Sequence, residues 1–178
     1  QNFNSEELQE GQIFLIDKPL GWTSFQVVNK IRWHLKNTTG LKKLKVGHAG
    51  TLDPLATGLL LICTGKKTKI ISTLQDSEKE YTGTFKLGAT TPSYDLETEI
   101  DETFSIEHVT SEILEKTTKQ FIGKIQQQPP VFSALKKDGK RLYEYARAGQ
   151  SVEIQKRDVT VVEFKITNTE LPNINFLI

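Results

Sequence analysis

Gly47-His48-Ala49-Gly50-Thr51-Leu52-Asp53-Pro54-Leu55-Ala56-Thr57-Gly58 runs directly into Leu59-Leu60-Leu61-Ile62-Cys63. The second stretch is an apolar run of the length expected for a buried strand. The first places one carboxylate, Asp53, in a short loop crowded with glycine. Pro54 biases Asp53 away from helical backbone angles, and Gly47, Gly50 and Gly58 permit tight turns or close approach to a ligand. A carboxylate on a rigid loop beside a buried strand suits a nucleophile or a base. Asp-Pro pairs more often simply start turns, so the loop alone leaves both readings open.

Outward from this joint, helices and strands alternate irregularly. Ile13 to Ile16 reads as a short strand ending at a turn, Asp17-Lys18-Pro19. Thr23 or Ser24 can cap a helix whose Val28, Ile31 and Leu35 fit helical spacing. Ile70, Ile71 and Leu74 mark a short helix, and Tyr81 to Leu87 a strand followed by an acidic stretch to about Phe104. A helix is expected over Val109 to Phe121, with Gly123 as its C-terminal stop. Residues 126–150 differ in character, because Pro129, Pro130, Gly139 and Gly149 resist regular structure and only Leu142 to Ala148 reads as helix. Val162, Phe164 and Ile166 alternate as one face of a strand, and Ile174 to Ile178 reads as another that stops abruptly. Without a regular βαβ rhythm the fold class is α+β rather than a doubly wound sheet.

At 178 residues the chain fits a single domain, 1–178, with a proper core. Cys63 is the one cysteine, so there is no disulfide framework, which fits a reducing cytosol and a cytoplasmic location. No apolar run approaches a membrane span, and the polar, acidic first ten residues do not read as a signal peptide. Net charge is only +1, but the charges are segregated. Lys42, Lys43 and Lys45 precede the Asp53 loop, Lys66, Lys67 and Lys69 follow its strand, and Lys136, Lys137, Lys140, Arg141 and Arg147 cluster later. Such segregation can build a positive face for phosphates, although solvated surface lysines read the same way in isolation. Gly65-Lys66-Lys67-Thr68 is not a P-loop, since Leu60 stands where the upstream glycine is required. No dinucleotide fingerprint and no His/Cys cluster at metal spacing is present, so neither a cofactor nor a metal is expected.

Four stretches in order carry a family resemblance. GHAGTLDPLATGLL resembles the catalytic-loop motif of the TruB family, the bacterial tRNA pseudouridine(55) synthases. Asp17-Lys18-Pro19-Leu20-Gly21-Trp22-Thr23-Ser24 resembles that family's DKPxGxTS opening, and Lys79-Glu80-Tyr81 through Leu87-Gly88 its tyrosine-bearing strand. Pro130 to Lys136 and Arg141 to Arg147 resemble the segment that closes on RNA. The resemblance implies a pseudouridine-synthase fold, with a mixed, mainly antiparallel sheet, flanking helices and an RNA-closing loop. It implies a cofactor-independent isomerase that flips the T-loop uridine out of its stack. Its partner would be the tRNA T-arm, with no membrane and no obligatory protein partner evident.

The resemblance also assigns roles. Asp53 becomes the nucleophile, and Tyr81 the active-site aromatic, stacking on the base and assisting proton transfer. His48 would support the flipped nucleotide or simply tie the glycine loop together. Lys18 and Pro19 would shape the cleft, with Gly50 approaching the substrate closely. Lys136, Arg141 and Arg147 would contact RNA from a mobile segment, 126–150, together with Phe132, Tyr143 and Tyr145. Asp95 would orient an active-site arginine, or serve only as a turn residue. In the family that arginine lies on a strand beyond the motifs found here. Nothing around Arg157 resembles its motif. The chain also has no methionine. The expectation is therefore an incomplete catalytic domain, inactive by itself, in which Ile174 to Ile178 has lost a strand partner. The alternatives are a non-enzymatic protein that binds and refolds tRNA on the same scaffold, and a guide-RNA-dependent relative.

Overall fold

The structure is a computed structural model that describes residues 3–130, 136–137, 139–150, 152 and 154–178. It divides into two compact units, Gln1–Glu78 and Lys79–Ile178.

In the first unit, α1 (Ser5–Glu10) is held by a capping box in which the Asn4 side chain accepts from Glu7 N–H and Glu7 reaches back to Asn4 N–H. Leu8 is its fully buried anchor. Three strands, β1 (Ile13–Lys18), β2 (Val46–Ala49) and β3 (Gly58–Thr64), form an antiparallel sheet in the order β1-β3-β2. Between them runs α2 (Ser24–Thr39), started by a second capping box, Thr23 with Gln26, and ended at Gly40 in the left-handed conformation. Val27 and Val28 of α2 bury against Val46, Leu60 and Ile62, with Phe14, Ile16, Ile31, Leu44 and Leu52 packed around them. Period-two alternation puts Leu60 and Ile62 into this core while Leu59 stays exposed. Each fully buried Leu or Ile contributes about 1.5–3 kcal/mol. After β3 come a 3-10 turn, Gly65–Ile70, and α3 (Ile71–Gln75), where a short helix was expected.

The second unit carries β4 (Thr82–Lys86), β5 (Ala89–Thr90), β6 (Glu102–Thr103), α4 (Ser111–Lys119) and β7 (Gly123–Gln127). It continues with β8 (Lys136–Lys137), β9 (Lys140–Arg141), α5 (Leu142–Arg147), β10 (Arg157–Val161), β11 (Lys165–Glu170) and β12 (Asn173–Leu177). Its main sheet has the order β11-β12-β4. Phe85 and Phe176 stack across it at 4.2 Å between ring centroids, with the Phe164 ring 6.1 Å from Phe176 and 6.1 Å from Phe121. Such offset and edge contacts add to simple burial. β10 with β7, β5 with β6 and β8 with β9 make separate two-stranded ribbons. Every described ladder is antiparallel, and the α+β class is as expected.

Four local expectations need correction. The strand read through Val162, Phe164 and Ile166 does not form as one, because Val162 to Phe164 lies between two strands. β10 ends at Val161, and β11 begins at Lys165 in a different sheet. Gly123 does not stop α4, which ends at Lys119; it opens β7 with φ +97°. Gln126 and Gln127, read as irregular, belong to β7 and pair with Asp158 and Arg157. Ile174 to Ile178 has not lost a neighbour, because β12 is the central strand, paired with β11 on one edge and β4 on the other.

Candidate active site

Asp53 lies in an irregular stretch between β2 and β3. Ala56 N–H donates to the Asp53 carbonyl at 3.0 Å, closing a four-residue turn in which Pro54 takes the second position that its fixed φ favours. Gly50 at φ +93° and Gly58 at φ +118° bound the segment. A Cβ at either would meet open space. Their constraint is therefore backbone conformation, which any other residue would adopt only with strain.

The flanks of Asp53 are held from outside the loop. Ser24 is 3% exposed, and its hydroxyl accepts from Leu52 N–H at 2.9 Å and donates to the Leu52 carbonyl at 3.0 Å. Gly21 N–H donates to the Pro54 carbonyl at 2.8 Å. The Leu52 side chain packs against the α2–sheet core. Asp53 itself is exposed, and among the described residues its carboxylate makes no hydrogen bond or ion pair. A carboxylate set on a held backbone, with its own oxygens unspent, is available to an incoming group.

Lys18 is wholly buried, opposite Gly58 in the β1–β3 register. Its ammonium donates to the Pro19 carbonyl at 3.1 Å and the Trp22 carbonyl at 2.6 Å. A buried charge persists only where polar groups replace its water, and here two carbonyls of residues 19–22 fold back to do so. Lys18 therefore shapes the turn from which Gly21 reaches the Asp53 loop. His48 pairs with Ile62 in the sheet, and its Nδ1 lies against the Gly50 carbonyl. Because that carbonyl can only accept, Nδ1 is the nitrogen that donates in this contact, which leaves the Nε2 edge of the ring unused by it.

In the second unit, Tyr81 stands just before β4. Its N–H donates to the Ile178 carbonyl at 2.8 Å and its carbonyl accepts from Ile178 N–H at 2.9 Å, so the β12 pairing extends to it. Tyr81 as a whole is 49% exposed. Asp95 is used locally: one carboxylate oxygen accepts from Ser93 Oγ at 2.6 Å and Glu97 N–H at 2.9 Å, while its carbonyl accepts from Thr91 Oγ1 at 2.6 Å. Arg157 donates twice to the Gln127 side-chain oxygen, at 3.1 and 2.8 Å. The side chains of Lys136, Arg141, Tyr143 and Arg147, and Phe132 altogether, lie outside the described residues.

The two lysine runs flanking the Asp53 segment converge. Lys43, Lys45, Lys66 and Lys69 line a groove of about 550 Å³ with Gln9, Leu44, Gly65 and Thr68. Cys63 is buried; burial pushes its thiol up, with Lys67 opposing, so it stays protonated and is no competing nucleophile. Among the described residues, no helix is long and apolar enough to cross a membrane. Sequence reading treated Ser24 only as a possible helix cap. The available signal was redundancy: Thr23 and Ser24 are adjacent, and one cap needs one hydroxyl. Thr23 takes that role, leaving the Ser24 hydroxyl for the loop.

Together, the antiparallel α+β scaffold and a presented aspartate define a candidate carboxylate enzyme. Residues 36–178 match the family model described as TruB family pseudouridylate synthase (N terminal domain), and the chain belongs to this family. The tRNA pseudouridine synthase B of Flavobacterium johnsoniae is 66% identical over 172 residues, covering 96% of this chain and 75% of that protein. The tRNA pseudouridine synthase B of Phocaeicola vulgatus is 55% identical over 166 residues, covering 93% and 71%. Among solved structures, a chain of a Cbf5-Nop10-Gar1 complex superposes with TM-score 0.66 at 26% identity, covering 96% of this chain and 39% of that one. A chain from an H/ACA RNP bound to a substrate RNA containing 2'-deoxyuridine shares the fold, with TM-score 0.60 at 24% identity and coverage of 96% and 37%. This chain thus spans less than two fifths of either solved chain.

Proposed function

We propose that this chain supplies the Asp53 nucleophile with which its protein isomerises the T-loop uridine of tRNA at position 55 to pseudouridine, without a cofactor. The observation that carries the reading is the presentation of Asp53: an exposed carboxylate on a backbone held at Leu52 and Pro54, within the motif GTLDP of a TruB-family chain. The similarity to proteins named tRNA pseudouridine synthase B supplies the substrate class.

The reaction breaks the N1–C1′ bond, turns the uracil and forms C5–C1′. The proton on C5 is lost and N1 gains one, so nothing is oxidised or reduced. Attack by the Asp53 carboxylate, on the sugar or on the ring, divides this rearrangement into two easier steps. Tyr81, itself half-exposed, would stack on the flipped base through its ring and pass a proton through its hydroxyl. The Nε2 edge of His48 would face the substrate while Nδ1 holds Gly50. Lys18 acts by shaping the residue 19–22 turn. Asp95 would order residues 91–97 rather than touch substrate.

Flipping costs a few kcal/mol of unstacking, which contacts to the RNA backbone must offset. The lysine groove in the first unit supplies charge for phosphates, and residues 126–150, with Lys136, Arg141 and Arg147, would close on the T-arm. The reading places this activity in the cytoplasm with no obligatory protein partner. Tritium release from tRNA labelled at C5 of uridine tests it. Stoichiometric release, lost when position 55 is cytidine, is expected. Tight tRNA binding without release would leave a non-enzymatic RNA-binding protein.

A further inference from the structure

We propose that Ser24 is a positioning residue for the Asp53 nucleophile, an inference that rests on the catalytic reading of Asp53. Three observations converge on it. Ser24 is the first residue of α2, yet the helix is capped by Thr23, so the Ser24 hydroxyl is not required for capping. It is buried, at 3% exposure, where an unpaired hydroxyl would be costly. Both its hydrogen-bonding capacities go to one residue, Leu52, accepting from its N–H and donating to its carbonyl.

The side chain thereby acts as a one-residue strand partner for the backbone just before Asp53. The Leu52 carbonyl belongs to the peptide plane on the N-terminal side of the Asp53 Cα. The Asp53 carbonyl belongs to the plane on the other side, and it accepts from Ala56 N–H. With both planes held, the backbone dihedrals of Asp53 are set, and side-chain rotation alone aims its carboxylate. Gly21 holds the next carbonyl, at Pro54. Removing the Ser24 hydroxyl frees both polar groups of Leu52 and releases the first plane. A displacement of about 1 Å at a reacting group can cost about 100-fold in rate.

The test measures steady-state kcat and KM for tRNA by tritium release, and the thermal midpoint, for Ser24→Ala, Ser24→Thr and Leu35→Ala in the full-length protein. Leu35 is buried near the far end of the same helix, outside the core cluster on which Leu52 packs, and reports what destabilisation alone does. Ser24→Ala should lose roughly 10- to 100-fold in kcat with KM nearly unchanged. Ser24→Thr, which keeps the hydroxyl, should stay within a few-fold of wild type. Leu35→Ala should lower the midpoint while preserving kcat. Should Ser24→Ala not fold, Ser24→Cys, with its weaker donor and acceptor, is held to the same pattern. An unchanged kcat for Ser24→Ala, or equal losses in Ser24→Ala and Leu35→Ala, would overturn the proposal while leaving the function standing. A wild-type protein that releases no tritium would overturn both.

Discussion

Two aspartates, Asp53 and Asp95, stand in polar turns that are built in opposite ways. The turn at Asp95 is assembled by the aspartate itself, whose carboxylate takes Ser93 Oγ and Glu97 N–H. The turn at Asp53 is assembled by others: Ser24, Gly21 and the Leu52 side chain hold it, and the carboxylate is left exposed. Asn and Asp commonly satisfy their own turns in the first way. A carboxylate becomes available for chemistry when neighbouring elements take over the work of holding its backbone.

The contrast can be broken by experiment. The largest effect among variants that keep the carboxylate should come from Asp53→Glu. A freely moving loop would absorb one extra methylene, but a held one cannot, so kcat should fall about 100-fold or more with tRNA affinity little changed. Near-wild-type turnover would show that the loop adapts. Tyr81→Phe should come next, lowering kcat by roughly 10²-fold through the lost hydroxyl while keeping the stacking ring. Tyr81→Leu should additionally raise KM, as steady-state kinetics would show. If Phe restores full turnover, the proton-transfer role is wrong. Asp95→Ala should do least: a loss of about 0.5–1.5 kcal/mol in chemical denaturation from the removed hydrogen bonds, with kcat unchanged. A large kcat loss at unchanged stability would return Asp95 to the catalytic centre.

The Asp53 segment was legible because its signals are local. Pro54 sets a turn, the glycines permit positive φ, and the apolar run after Gly58 alternates into the core as Leu60 and Ile62. The start of α2 was legible for the same reason, through Thr23, and its inward face through the spacing of Val28, Ile31 and Leu35, but the helix runs on to Thr39. Pairing partners were not. Val162-Glu163-Phe164-Lys165-Ile166 has the alternation of one strand, but β10 pairs with β7 and β11 with β12, and the chain breaks where it changes sheets. β7 has one apolar side chain, Ile125, and gains its strand character from residues about thirty positions later. Lys18 read as a turn residue shaping the cleft, and no local pattern announces that two carbonyls will enclose its ammonium. The Ser24–Leu52 bridge joins residues 28 positions apart, a separation no periodicity can register.

Single-turnover formation of pseudouridine at the T-loop uridine, with enzyme saturating over tRNA, compares Asp53→Asn with Asp95→Asn most directly. Saturation removes differences in binding, and both changes exchange a carboxylate for an amide of the same size. The account predicts no detectable product from Asp53→Asn, a loss of roughly 10⁴-fold or more of the kind that removal of a nucleophile produces. Asp95→Asn should react at the wild-type rate. Product formed by Asp53→Asn as fast as by wild type would contradict the account.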